Sequence, residues 1–243
     1  MKATFTELYD STPTLIGYLY TDENKTKETY NTSKKLTRIE TQGGEALDLT
    51  YDGSGRLSTV TDEHGRTLTL SYDGSSRVST VATPDGMFTY TYGSNNNLAQ
   101  VTKPDTKTRI YHYENTTFVN ALTGITDEMG VRYATWGYDA QGRANSSSHA
   151  GGVDDYTLTY NADGTITETN PLGKQTIYTY TVINGLRKIT KVDGVASAHC
   201  PAANMAYTYN SSGYLASTTD WEGNLTTYTT DQNGLETARV EAV

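Results

Sequence analysis

The chain has 243 residues and a formal net charge of −9 at pH 7. A surface that binds phosphates needs a concentration of basic residues, so this charge argues against nucleic acid as a partner. The mean hydropathy is −0.60, and no run approaches the roughly 20 apolar residues of a membrane helix, so the sequence predicts no membrane span.

Tyrosine recurs along the chain at a nearly constant interval. A fixed period of about this size indicates an array of small units, each of which contacts mainly its neighbours. We therefore expect one continuous array over residues 1–243, with an irregular insertion near residues 183–206 that is read as an extended hairpin or as irregular structure. The tyrosines that open the units before the insertion are separated by 21, 21, 21, 20, 21, 25 and 22 residues, at Tyr9, Tyr30, Tyr51, Tyr72, Tyr92, Tyr113, Tyr138 and Tyr160, and the period resumes at Tyr209.

One unit, from Tyr51 to Tyr72, predicts two turns and two strands. Residues 52–56 and 62–66 share the form Asp-x-x-Gly-Arg. In such turns the aspartate side chain accepts hydrogen bonds from the backbone, and glycine supplies a left-handed conformation. The segments between the turns are rich in threonine, valine, leucine and tyrosine, which favour strands. Turns every ten or eleven residues therefore predict an antiparallel up-and-down sheet with almost no helix, an all-β fold class.

Two details of the strands are left for the structure to decide. In residues 67–72, leucine and tyrosine alternate with threonine and serine, which predicts one apolar and one hydroxylated face. Leu57 and Val60 are instead three residues apart, so either a bulge realigns them or both faces of their strand are partly covered. Further on, the serine-rich segment Asn145–Gly152 is typical of a flexible loop tip.

The repeat resembles the YD repeat of the rearrangement hotspot (Rhs) proteins, which also occurs in the C components of insecticidal toxin complexes and in teneurins. The matching positions are Tyr51-Asp52, Gly55-Arg56-Leu57, Val60-Thr61-Asp62 and Gly65-Arg66, then Tyr72-Asp73, Arg77-Val78 and Val81, then Tyr138-Asp139 and Gly142-Arg143, and finally Tyr160-Asn161 and Gly164.

The resemblance implies a sheet strip that curls as part of a spiral β-shell around a toxic C-terminal polypeptide. It implies a structural, non-enzymatic role without a cofactor, with the neighbouring repeats and the enclosed polypeptide as partners. It also implies secretion or surface display by a dedicated apparatus; no apolar run typical of a signal peptide follows Lys2. Shells of this kind end in an Asp-Pro step that releases the toxin, and this sequence contains none. We expect the chain to be a fragment of a larger shell.

Histidine and cysteine offer little chemistry in this sequence. His199-Cys200 is the candidate for a thiol nucleophile, but adjacency does not supply the geometry of a catalytic pair. The remaining histidines, His64, His112 and His149, are too dispersed to predict a metal site. A plain loop thiol and isolated histidines are therefore the interpretation.

The acidic and aromatic residues are interpreted in the same way. The repeated Asp-x-x-Gly lacks the spacing of a calcium loop, so its aspartates are interpreted as turn formers. Asp154-Asp155 and Glu128 are interpreted as surface charge. The sequence thus predicts no catalytic, cofactor-binding or metal-binding residues, and the residues expected to matter are structural: Tyr51, Tyr72, Tyr138, Gly55, Gly65 and Gly142.

An alternative function remains open from the sequence. Hairpin repeats of about 20 residues also occur in carbohydrate-binding and cell-surface adhesion modules, and Trp136 and Trp221 could stack on a glycan. A strip of this kind also has two open sheet edges, each a template for pairing, so we expect self-association to be a further partner interaction.

Overall fold

The computed structural model describes residues 2–196 and 201–241. These residues form 22 strands of one antiparallel sheet and a single 3₁₀ turn at Ala150–Gly152. The all-β fold class with almost no helix is therefore confirmed. In the two described ranges, no helix is both long and apolar enough to cross a membrane.

The first of two compact units comprises residues 1–111 and 127–130. Consecutive strands that begin in it pair antiparallel with one another, as an up-and-down sheet requires. These strands are β1 (Thr4–Tyr9), β2 (Leu15–Thr21), β3 (Lys27–Asn31), β4 (Leu36–Glu40), β5 (Ala46–Tyr51), β6 (Leu57–Asp62), β7 (Thr67–Tyr72), β8 (Val78–Thr83), β9 (Gly86–Tyr92), β10 (Leu98–Thr102) and β11 (Thr108–His112).

The second unit comprises residues 112–126 and 131–243. Its strands also pair in chain order. They are β12 (Gly124–Thr126), β13 (Arg132–Tyr138), β14 (Ala144–His149), β15 (Val153–Tyr160), β16 (Ile166–Thr169), β17 (Gln175–Ile183), β18 (Leu186–Gly194), β19 (Asn204–Tyr209), β20 (Leu215–Thr219), β21 (Leu225–Thr230) and β22 (Glu236–Glu241).

The strand register separates an apolar face from a hydroxylated face. Val60 lies opposite both Leu49 and Leu68. The neighbouring Thr59 lies opposite Thr50 and Thr69. Because side chains alternate along a strand, these two rows point to opposite sides of the sheet. On the hydroxylated side the Oγ1 atoms of Thr50 and Thr59 are 2.7 Å apart, a cross-strand hydrogen bond.

A bulge after the turns at residues 52–56 and 73–77 explains the spacing of three between apolar residues. Tyr51 pairs with Leu57, whereas the preceding Thr50 pairs with Thr59, so one residue of β6 has no partner in the register. The same shift follows Tyr72, which pairs with Val78 while Ser71 pairs with Thr80. An extra residue rotates the strand by one position, so that Leu57 and Val60 share a face. The structure thus decides for the bulge.

The predicted insertion near residues 183–206 begins as an extended hairpin. The nine-residue strands β17 and β18 pair along their length and meet at Asn184-Gly185. Both turn residues have positive φ, 51° and 79°. Asn-Gly in this conformation is the favoured two-residue hairpin turn because its twist matches that of the strands. This part of the chain is therefore an extended hairpin, and β19 restores the period at Tyr209.

The prediction of a flexible tip at Asn145–Gly152 is wrong. Residues 144–149 form β14, and Ser146 and Ser147 pair with Gly137 and Trp136 of β13. Only Ala150–Gly152 form the connection. Serine favours loops when its hydroxyl competes for the backbone, but here the strands on both sides supply the backbone partners.

Few side chains are buried. Among the described residues other than glycine, those are Ala46, Ala134 and Thr123. Most strand residues are half-buried, as throughout β6 and β8. A single sheet layer has no second layer to bury its apolar face, so contacts between neighbouring strands and at the turns carry a large part of the stability.

Candidate functional site

A five-residue turn closes most hairpins, and the turn at residues 52–56 is representative. The Oδ1 atom of Asp52 accepts hydrogen bonds from the backbone N–H groups of Ser54 and Arg56, both at 2.9 Å. The Gly55 N–H donates to the carbonyl of Asp52 at 2.8 Å, and Gly55 has a φ of 77°. The predicted roles of aspartate as acceptor and glycine as left-handed residue are confirmed.

The arginine at the end of this turn connects it to the tyrosine that opens the next unit. Arg56 donates from Nε to Oδ2 of Asp52 at 2.8 Å. Its guanidinium carbon lies 4.3 Å from the centroid of the Tyr72 ring. The Tyr72 hydroxyl donates to the carbonyl of Leu57 at 2.6 Å. We call this arrangement of a turn cation, the next tyrosine ring and a backbone carbonyl a tie; it joins one repeat to the next.

The tie recurs in both units, with a lysine as the cation in two cases and with Lys188 in strand β18 instead of a turn. The cation lies between 3.9 and 5.7 Å from the ring centroid, and the tyrosine donates to the carbonyl that follows the cation at 2.7 or 2.8 Å. A cation over an aromatic face contributes roughly 0.5–1 kcal/mol at exposed sites. These further ties are Lys35–Tyr51–Leu36 and Arg77–Tyr92–Val78 in the first unit, and Arg143–Tyr160–Ala144 and Lys188–Tyr209–Ile189 in the second.

In the first unit the same cations also contact the equivalent turn one repeat later along the chain. Arg56 donates to Oγ of Ser76 at 3.2 Å, and Arg77 donates to Oδ1 of Asn96 at 2.7 Å. Lys35 donates to the carbonyl of Gly55. Each acceptor belongs to the left-handed residue of the next turn, so successive turns are linked in a row along one side of the sheet.

The turn carboxylates are held in the charged form. Hydrogen bonding from the backbone N–H of Arg56 lowers the pKa of Asp52, and the Arg56 side chain adds to this effect. The backbone N–H and then the side chain of Arg77 lower the pKa of Asp73 in the same way. A carboxylate that stays ionised keeps the arginine oriented over the tyrosine, so the turn and the tie depend on each other.

The remaining predicted structural residues lie in or beside such sites. The Tyr138 hydroxyl donates to the carbonyl of Leu122 at 2.7 Å. Gly142 has a φ of 77°, and a Cβ there would lie 2.9 Å from the Phe118 ring. Gly65 also has positive φ, 79°, but its surroundings are open. Gly142 is thus required for space as well as for conformation.

The chemistry-bearing candidates are not brought together. His64, His112 and His149 lie in separate parts of the units, and the described residues contain no group of three or more metal-ligating side chains. Trp136 is half-buried in β13, whereas Trp221 is 67% exposed at a turn. His199-Cys200 lies outside the described residues.

Glu128 is not a free surface charge as predicted. Its carboxylate forms ion pairs with Lys103 at 2.5 Å and with Arg109 at 3.1 Å, and its side chain is 17% exposed. The hydrogen bond from Lys103, with a further one from Arg109, lowers the pKa of Glu128 to about 2. Asp154 does lie on the surface, where its Oδ2 is 3.2 Å from Nδ1 of His149.

A second carboxylate cluster fixes the long connection 113–123. Arg132 makes two hydrogen bonds to Glu114, at 2.7 and 2.8 Å, and these lower the pKa of Glu114 to about 2. The buried Thr123 donates to Glu114 at 3.1 Å and accepts from its backbone N–H at the same distance. Glu114 directly follows the unit-opening Tyr113, but the period gives no signal that Thr123 and Arg132 bind its side chain.

The sequence and the fold of this chain both resemble those of known proteins. The sequence model of a family described as teneurin YD-shell matches residues 5–200. A crystal structure of TcdB2-TccC3 superposes with a TM-score of 0.55 at 12% identity over 94% of this chain. A Photorhabdus luminescens Tc holotoxin pore with a TccC3 substitution gives 0.35 at 12% identity over 98%. This chain spans only 16% of either matched chain. None of the curated proteins matches it.

Proposed function

Because this chain belongs to the teneurin YD-shell family, we propose that it is a segment of the wall of a protein shell that encloses a toxic polypeptide. Its role is structural and non-enzymatic. The wall keeps the enclosed polypeptide apart from its surroundings until delivery, as the resemblance to Rhs proteins implies. Residues 1–243 form one continuous array within that larger shell.

The recurring tie is the observation that carries this proposal. It uses the residues that define the repeat, the tyrosine, the turn aspartate and the arginine, for joining one repeat to its neighbour. In an array whose units contact mainly their neighbours, such contacts determine whether the wall holds together. The residues that define the repeat therefore hold neighbouring repeats of the sheet together.

The partners of the segment follow from this role. They are the neighbouring repeats of the same protein and the enclosed polypeptide, and the protein acts outside the producing cell after export by a dedicated apparatus. The hydroxylated and apolar faces give the two sides of the wall different chemistry.

Limited proteolysis of the native protein that carries residues 1–243 tests the proposal. Peptides from the enclosed polypeptide are expected only after the shell is unfolded, and mass spectrometry of timed digests measures their release. The isolated polypeptide, digested in parallel, provides the reference rate. Release from the native protein at that reference rate would contradict enclosure.

A pair of variants separates enclosure from slow digestion in general. Arg77→Met removes the cation of one tie, whereas Arg66→Met removes an arginine of equal turn position, paired with Asp62, that makes no ring contact among the described residues. Earlier release of the enclosed polypeptide is expected for Arg77→Met, with little change for Arg66→Met.

A further inference from the structure

A cleft of about 680 Å³ lies on the first three strands of the first unit. Its lining combines four aromatic rings with two carboxylates: Phe5, Tyr18, Tyr20, Tyr30, Glu7 and Glu28. The rings of Phe5 and Tyr18 are stacked with centroids 5.6 Å apart. This volume is in the range of small-ligand sites.

Strand register brings these six side chains to one face. Glu7 lies opposite Tyr18, which lies opposite Tyr30. The second row of three is formed by Phe5, Tyr20 and Glu28, in the same two pairings. Directly opposed residues share a face of the sheet. The cleft is therefore built by two adjacent cross-strand rows on β1, β2 and β3.

This is also a place where the cation of a tie is replaced. Arg56 precedes Tyr72 by 16 residues, and Lys35 precedes Tyr51 by the same number. The residue 16 before Tyr30 is Thr14, whose side chain is too short to reach the ring.

The hydroxyl of Tyr30 has a different hydrogen-bond partner from the hydroxyls of the complete ties. In the complete ties the hydroxyl donates to the carbonyl after the cation, which here would be that of Leu15. The Tyr30 hydroxyl donates instead to Oε2 of Glu28. In the complete ties a cation lies over the tyrosine ring. Among the described residues, no cation of the chain lies over the Tyr30 ring, so this space is open to a cation from a ligand.

The charge of the cleft suits a positively charged ligand. Glu7 and Glu28 supply two carboxylates, and Lys34 is the single basic residue in the lining. Among the described residues, no ion pair within 4.0 Å joins Lys34 to either carboxylate. Aromatic faces and carboxylates both attract a cation, and a guanidinium can stack on a ring while donating to carboxylates.

We propose that this cleft binds a guanidinium group. The cation lies over the Tyr30 ring, as the guanidinium groups of Arg56 and Arg77 lie over their rings at 4.3 Å. Its N–H groups donate to Glu28 and Glu7. The source is an arginine, either as a small compound or as a side chain of a peptide.

Titration calorimetry with Nα-acetyl-L-arginine amide tests the site, and the neutral isostere Nα-acetyl-L-citrulline amide is the matched ligand. Saturable binding of the arginine compound, at least tenfold tighter than that of the citrulline compound, is expected at low salt. No binding, or equal binding of the two, would overturn the proposal.

Thr14→Arg provides the sharpest variant because it supplies the guanidinium that Arg56 supplies to Tyr72. Binding should fall at least tenfold in Thr14→Arg, with a melting temperature equal to or above that of the parent chain, and remain in Thr14→Val. Glu28→Gln should weaken binding to a similar extent. Undiminished binding in a folded Thr14→Arg would refute the assigned position.

A short arginine peptide distinguishes the two sources. Binding more than tenfold tighter than that of the amide supports a peptide side chain, and equal affinity supports a small guanidinium compound. Neither result depends on shell formation, so failure of this proposal and failure of the proposed wall function are distinguishable.

Discussion

At the scale of single residues, Tyr72 combines two contacts that a leucine in its place could not make. Its ring lies under Arg56, and its hydroxyl donates to the carbonyl of Leu57. Tyrosine offers an apolar body with a polar tip, and the tie uses both. Phenylalanine lacks the hydroxyl, so it could not replace the tyrosine of a tie.

Removal of one hydroxyl should therefore be measurable. Tyr72→Phe keeps the ring under Arg56 and deletes the 2.6 Å hydrogen bond to Leu57, so we expect a loss of about 1 kcal/mol in the free energy of unfolding. Thermal denaturation measures it, at roughly 2–4 °C for each kcal/mol in a chain of this size. Tyr90→Phe is the control, because the Tyr90 hydroxyl makes no hydrogen bond in the described part of the chain. Equal losses in the two variants would contradict the assigned bond.

Glycine at the left-handed turn position gives a second test at this scale. Gly65→Val should lower the melting temperature by several degrees, because a β-branched residue at a φ of 79° is strained by more than about 1 kcal/mol. The space around Gly65 is open, so the effect reports conformation and not a clash. Gly53→Val, at an equally open position without positive φ, should change little. An unchanged melting curve for Gly65→Val would remove the left-handed assignment.

The residue types of the turns could be predicted from sequence, but the ties could not. Asp52 and Gly55 act within five residues, and local turn chemistry is sufficient to assign them. Arg56 and Tyr72 are 16 residues apart, and their contact depends on the register in which β6 pairs with β7. The sequence does contain a signal, a basic residue 15 to 17 residues before the tyrosine in four units, which becomes visible once the contact is known.

At the scale of elements, the strand β14 and the bulge in β6 could not be predicted from the sequence. The serines of β14 resemble a loop in composition, yet β13 and β15 pair with that segment on both sides. The choice between a bulge and coverage of both faces also needed the register, because a one-residue shift reverses the faces of a strand. Tertiary pairing decided both cases.

The connection 113–123 should be sensitive to acid. The pKa of Glu114 is about 2 in the folded chain against 4.5 for the free group, so the folded state favours the charged form. Its contribution to stability is therefore complete above pH 4.5 and is lost as the pH falls towards about 2. The protection of residues 113–123 against hydrogen exchange, taken relative to the intrinsic amide rate at each pH, should fall over that interval. Glu114→Gln should already show low protection at pH 6, while Asp85→Asn, without an ion pair among the described residues, should behave as the parent chain. Protection that does not change with pH would contradict the role of Arg132.

At the scale of the whole molecule, the two terminal strands differ as templates for association. Among the described residues, β1 pairs with β2 alone and β22 with β21 alone. β22 carries Glu236, Arg239 and Glu241, and charges of this kind protect an edge. β1 has one charged residue, Glu7.

Self-association should accordingly proceed through β1. Thr6→Lys, which adds a charge to the exposed side of β1, should lower the sedimentation-derived molar mass at high protein concentration. Thr237→Lys on β22 should leave it unchanged. Association that responds only to the second variant would assign the interaction to the other edge.

The central claim is that ties hold one repeat to the next, and hydrogen exchange of an Arg77→Met variant tests it most directly. Arg77 bonds to Asp73 in its own turn, lies 4.3 Å from the Tyr92 ring and donates to Asn96 in the next turn. We predict faster exchange in both turns, residues 73–77 and 93–97, whereas Arg66→Met accelerates only residues 62–66. Acceleration confined to residues 73–77 in Arg77→Met would contradict the claim.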